Sequence, residues 1–266
     1  ASRHEKGGHA TDKKTLITRF ALDVPHGMRA PRRCSCGKCI QLPDAPWSAD
    51  DVEIAQEAER MWLRHRYTCP SASGLRIATH DNIARVWYAM LEAAGFQELA
   101  YEPRRWDAEA KSDEAEHRRP DILAFNPCTF GRWVIDVSMA WAAVGIGADC
   151  RLAAKAREAY KQRAYKASMA RVKTRHESGE ELAQEGWLDD RFVPLGFEVG
   201  GAWGPSAVHA FHEVLEVYAQ TNMVDIEHHS VISFATHWRE RVAMAITRGA
   251  AAVVARVAPL DGEAAT

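Results

Sequence analysis

Arg118-Arg119-Pro120-Asp121-Ile122-Leu123-Ala124, followed after an Asn/Pro/Gly-rich break by Trp133-Val134-Ile135-Asp136-Val137, decides how this chain is read. Two short apolar runs separated by a turn signal spell a β-hairpin. Asp121 heads the first run and Asp136 lies inside the second, with fourteen residues between them. Neighbouring strands can bring two such carboxylates within a metal diameter of each other. Magnesium takes oxygen ligands, keeps several waters, and is typically held by one or two carboxylates together with substrate phosphate. Asp121 and Asp136 would therefore anchor Mg2+ or Mn2+, with a carbonyl beside Asp136 as a third donor. Read alone, Pro-Asp is also a common turn signal, and Asp136 is equally a strand residue facing solvent. The surrounding order of elements weighs between the two.

Outward from the hairpin, Asp81 reads as the N-cap of a helix over Asn82 to Ala94, with Ile83, Val86, Trp87, Met90 and Leu91 on one stripe and Gly95 as its stop. Phe96 to Tyr101 reads as a strand, and Trp106 to Glu116 as an acidic loop. After the hairpin come a basic helix over Ala153 to Val172 and a strand over Phe192 to Val199 that Gly200-Gly201 ends. A helix from Pro205 to about Gln220 and a last helix from about Val231 through Val257 follow. Helix, three strands, helix, strand is an α/β order, a central sheet flanked by helices. The division expected is a flexible lead-in over 1–33, a Cys/His segment over 34–80, the α/β core over 81–200 and a helical extension over 201–266.

A chain of 266 residues with 47% hydrophobic content and nine Trp can bury a sizeable core, which excludes disorder of the whole. No secretory signal opens it, and the longest apolar stretches are short or broken by Arg248 and Arg256, so no membrane span is expected. The first residue, Ala1, suggests a processed chain or a piece of a longer one. Cysteines at 34, 36 and 39 in a long, unsignalled chain look like metal ligands in a reducing compartment rather than a disulfide framework. Cys128 and Cys150 read as ordinary structure. Net charge is only −2, yet Arg151 to Arg175 holds nine Lys or Arg against the single acid Glu158. Such a strip can contact a phosphate backbone, or it is a solvated helix face. Glu102 ends the strand before the hairpin and is placed to reach the same metal. Glu198 shares that ambiguity at the end of the last strand, and His80 reads as a helix-opening residue rather than a ligand.

The element order, with an acid at the head of the second strand and another on the third, resembles the PD-(D/E)XK restriction-like nuclease fold. More closely, the chain resembles the C-terminal endonuclease region of site-specific non-LTR retrotransposons. The residues that carry this are Cys34-Ser35-Cys36-Gly37, His65, Cys69-Pro70, Arg76, His80-Asp81-Asn82, Gly95, Glu102-Pro103, Arg119-Pro120-Asp121 and Ile135-Asp136-Val137. Gly201-Ala202-Trp203-Gly204-Pro205 and Trp238-Arg239-Glu240-Arg241 join them later in the chain. The resemblance implies an αβββαβ core behind a zinc knuckle and a Mg-dependent nick in DNA that primes reverse transcription. It also implies a nuclear setting and element RNA as a further partner through a reverse transcriptase domain outside this chain.

The nuclease motif places a lysine two residues after the second acid, where this chain has Ser138. In the retrotransposon group that lysine moves to the following helix with a tyrosine four residues on, which Lys161 and Tyr165 match; Lys155 competes for the role. Arg118, Arg119, Lys155, Arg163 and Lys166 would bind the DNA backbone. The implied structural zinc ligands are Cys34, Cys36, His65 and Cys69, with Cys39 as an alternate. Here the link from Cys36 to His65 spans 28 residues, where the family has a short one. Two other readings stay open: a catalytically decayed nuclease-fold module that binds nucleic acid, and a zinc-stabilised interaction protein without DNA contact.

Overall fold

The computed structural model describes residues 32–34, 36–37, 39–40, 61, 65, 67–103, 119–140, 152–178, 190–222 and 231–257. The acidic loop expected at Trp106 to Glu116, Arg118 and Cys150 lie outside them. The chain divides into two compact units. One comprises Ala1–Leu75, Trp141–Ala143 and Ala250–Thr266, and the other Arg76–Ala140 and Val144–Gly249.

In chain order the elements are strands β1 (Arg32–Arg33) and β2 (Cys39–Ile40), a 3-10 turn over Pro70–Ala72, and helix α1 (Ser73–Ala94). Next come β3 (Gln97–Tyr101), β4 (Ile122–Asn126), β5 (Gly131–Ala140) and α2 (Leu152–Ser178). Then follow β6 (Asp190–Glu198), α3 (Pro205–Thr221) and α4 (Val231–Val257). The protein is thus α/β, with the expected run of helix, three strands, helix and strand. No helix among the described residues is long and apolar enough to cross a membrane.

The four-stranded sheet has the order β3-β4-β5-β6. β3, β4 and β5 are antiparallel neighbours, while β6 lies parallel to β5 with Asp136 opposite Pro194. A parallel partner needs a long crossover, which α2 supplies. Pro194 cannot donate to a ladder, and β6 is accordingly an edge strand. The hairpin closes with Asn126 opposite Gly131, and the Asn126 side chain accepts the backbone N–H groups of Cys128 and Thr129. Residues 133–139 of β5 and 192–198 of β6 are buried on both faces, as strands covered from above and below must be.

The alternation of β6 sorts the layers. Phe192, Gly196 and Glu198 face α2: Tyr165 stacks on Phe192 at 4.3 Å, and Glu198 accepts the N–H of Ala154. Phe197 faces the other way, against Trp87 of α1 and within an aromatic cluster of Trp87, Trp203 and Phe211 of α3. The helix from Pro205 therefore belongs to the sheet's own layers, not to a separate C-terminal extension, and the compact unit reaches Gly249. Glu158, the lone acid in the basic run, is buried and accepts the N–H groups of Gly196, Ser206 and Ala207. It thereby satisfies the start of α3. A Cβ on Gly204 would stand 2.1 Å from its Oε1, so only glycine fits there.

Helix α1 begins at Ser73, not after Asp81 as expected. Pro70 opens the preceding 3-10 turn, proline being suited to a first helical position, and the helix runs on from it. Asp81 consequently sits inside the helix, its carboxylate free to meet a side chain.

Candidate functional site

In the sheet-bearing unit, Asp121 and Asp136 converge. The hairpin register sets Asp121 one residue before β4, where its N–H donates to Ile135 O at 2.9 Å. Its Oδ2 accepts the Val137 N–H at 2.6 Å, which turns the carboxylate toward β5. Asp136 shares the α2-facing side of β5 with Val134, which packs with Tyr165. Lys161, one turn before Tyr165, reaches it from α2 with Nζ 2.7 Å from Oδ2. The contact is an ion pair without an aligned hydrogen bond: among the described residues that buried oxygen meets no aligned donor.

Burial drives the Asp136 carboxyl up to about 7; the nearby Lys161 ammonium opposes the rise and the facing Asp121 carboxylate adds to it. Two acids this close, one of them buried, call for added positive charge. The chain supplies some through His80, which the earlier start of α1 places inside the helix and against the site. Its Nε2 lies 3.0 Å from Val137 O and 3.3 Å from Asp121 Oδ2, and its Nδ1 lies 3.0 Å from Asp81 Oδ1. Burial disfavours charge on the ring, but the hydrogen-bonded Asp121 carboxylate overrides it and holds the imidazole up to about 9. Potential ligand atoms of His80, Asp121 and Asp136 all lie within 4.8 Å of one another.

Among the described residues Glu102 is not in that group. Its backbone has φ +46, and its side chain pairs at 2.5 Å with Arg119, which was expected on DNA. Tyr165 is buried and stacked, a packing residue rather than a surface contact for phosphate. Lys155, Arg163 and Lys166 are exposed on α2, while Arg118 lies outside the described residues. Ser138, in the place of the motif lysine, is buried with Oγ 3.4 Å from Leu195 O. Glu198 and Asp190 serve structure, Asp190 by a two-point pair with Arg132. His80 at the acid pair and Glu158 under α3 hold positions that pattern reading does not give. The sequence signals for His80 are its place beside Asp81 and in the His80-Asp81-Asn82 part of the resemblance.

In the other unit Cys34, Cys36, His65 and Cys69 also converge within 4.8 Å. Gly37, at φ +90, donates to Cys34 O at 2.9 Å and folds Cys36 back on Cys34. Cys34 and Cys69 sulfurs are 3.3 Å apart, far beyond a disulfide bond of roughly 2.05 Å. That distance is close to the roughly 3.8 Å edge of a tetrahedron built on Zn–S bonds of roughly 2.3 Å. Cys36 Sγ stands 3.4 Å from His65 Nε2. The Cys69 thiol is lowered even though burial opposes it, because the hydroxyl of Ser71, 2.9 Å away, and the Cys34 thiol favour the thiolate. Three thiols and an imidazole at these separations are a donor set that can hold zinc. Cys39 lies on β2 opposite Arg33, its side chain outside the described residues. Ala72, Val253 and Val257 pack against Cys34 and Cys69.

No protein-family model matches the chain, and no curated protein matches it either.

Proposed function

We propose that the chain is a metal-dependent DNA endonuclease of the PD-(D/E)XK type, nicking target DNA as in target-primed reverse transcription of a retrotransposon. The observation that carries this reading is the meeting of Asp121, Asp136 and Lys161 at one point between β4, β5 and α2. The donor set suits a hard cation: two carboxylates, one with a buried oxygen that lacks an aligned partner. Asp121 and Asp136 would hold Mg2+ or Mn2+; when bound, the ion neutralises charge building on a phosphodiester and lowers the pKa of water.

Lys161 holds its ammonium group beside Asp136, where it can stabilise negative charge on a transferring phosphoryl oxygen. Tyr165 fixes the turn of α2 that carries Lys161 by stacking on Phe192. Lys155, Arg163 and Lys166 leave cationic groups exposed on α2, contacts that position a DNA backbone without reading its sequence. The converged Cys/His cluster, loaded with zinc, would stabilise its own unit. The nuclear setting and the RNA partner belong to the retrotransposon part of the proposal.

Supercoiled plasmid incubated with the purified chain and Mg2+ tests the reading. Nicking that Asp136→Ala removes supports it, and equal nicking by both chains refutes the site. The exposed cations of α2 would serve a non-cutting nucleic-acid module equally well. Salt-sensitive retention of DNA without nicking in Mg2+ or Mn2+ points to that reading instead.

A further inference from the structure

We propose that His80 is a built-in stand-in for the divalent cation, its ring N–H occupying oxygens of Asp121 and Val137 so that the ion binds only when the ring leaves. The inference rests on the metal-centred reading above. It begins with the hydrogen at Nε2. A backbone carbonyl only accepts, so a ring nitrogen 3.0 Å from Val137 O must carry a proton there. Its lone pair is then unavailable, and His80 in this arrangement is not a metal ligand despite its proximity to the two acids.

The same N–H lies 3.3 Å from Asp121 Oδ2, whose other contact is the Val137 N–H. The ring thus bridges one of the two acids and the carbonyl directly after the other. These are oxygens a hard cation at roughly 2.1 Å would use. A cation and the N–H compete for them, because both approach the same oxygens with positive charge. On its far side the ring is tied to Asp81 Oδ1, an acceptor on the next residue of α1. Asp81 therefore anchors His80 in the blocking position. The His80 side chain keeps 30% exposure, which leaves it solvent to swing toward when an ion arrives.

Competition of this kind has a sign opposite to ligation. Loss of a ligand weakens metal binding, whereas loss of a competing cation tightens it. A hydrogen bond to a charged group is strong enough that its removal would tighten binding about tenfold. The test is Mn2+ binding to the zinc-loaded full chain, followed by the electron paramagnetic resonance signal of free Mn2+. Wild type, His80→Ala, Asp81→Asn and Asp136→Ala are compared, with far-UV circular dichroism as the check on folding. The expected result is about tenfold tighter Mn2+ binding in His80→Ala and a smaller tightening in Asp81→Asn. If His80→Ala does not fold, Asp81→Asn alone decides by the same sign. Equal or weaker binding in the folded variants overturns the stand-in role while Asp136-dependent binding, and the metal-centred reading, survive. Absence of Asp136-dependent Mn2+ binding in every chain overturns both.

Discussion

The Cys/His cluster and the acid cluster both gather polar ligand atoms within 4.8 Å, yet they are built on opposite plans. The first brings together three thiols and a histidine, with the Ser71 hydroxyl against Cys69. The second balances two carboxylates with cations of the chain itself, Lys161 at 2.7 Å and His80 at 3.3 Å. A cluster of thiols and an imidazole draws folding energy from the ion it holds. A site that carries its own counter-charge can fold without an ion. On this contrast, metal removal is expected to destabilise the Cys/His unit and to leave the sheet-bearing unit folded.

The largest effect is expected at the cysteines. Structural zinc contributes on the order of 10 kcal/mol to such sites at neutral pH. Cys69→Ser should therefore lower zinc content from about one to about zero per chain and increase proteolysis around Pro70–Ala72. Zinc content unchanged by the substitution would break the comparison at its first term. The second effect lies in the acid cluster: Asp136→Ala should cut nicking by about three orders of magnitude, the several kcal/mol that a metal supplies to the transition state. Melting temperature in this variant should not fall, because a buried carboxyl with a raised pKa is a cost to the fold.

Glu158 sharpens the contrast because it is a buried acid held by backbone N–H groups and the Ser206 side chain. Glu158→Ala strips acceptors from three N–H groups and should cost about 3 kcal/mol in urea denaturation. Glu158→Gln should cost less. Burial raises the Glu158 carboxyl against the backbone N–H groups that lower it. The folded state then holds its proton more tightly than the unfolded state does. Its contribution to stability is complete in acid and is lost as pH rises through the folded value. Glu158→Gln should flatten that slope in pH-dependent melts. The smallest expected effect separates the two lysines: Lys161→Ala should slow nicking about 100-fold, and Lys155→Ala less than about threefold.

Much of this architecture could be read from residue order. The hairpin, the basic helix and the final helix fall where turn signals and periodicity put them, and Asp136 meets Lys161 while the four Cys/His residues gather despite the long link between Cys36 and His65. What stayed hidden depends on contacts distant in sequence. His80 meets Val137, 57 residues away, and nothing local in His80-Asp81-Asn82 distinguishes a ring turned to the sheet from a helix start. Asp81 looked like a cap because Ser/Asp/Asn before an apolar stripe usually is one, while Pro70 had already begun the helical path. Glu102 misled because strand position predicts reach but not the turn at φ +46 that sends its side chain to Arg119. Glu158 was lost in a run of positive charge, where one acid reads as noise until β6 and α3 pack over it.

Anomalous X-ray diffraction from crystals of the zinc-loaded chain soaked in Mn2+ tests the central assignment most directly. A manganese peak within roughly 2.3 Å of a carboxylate oxygen of both Asp121 and Asp136, lost in Asp136→Ala, is the predicted result. A fully soaked crystal with no peak between those two carboxylates would contradict it.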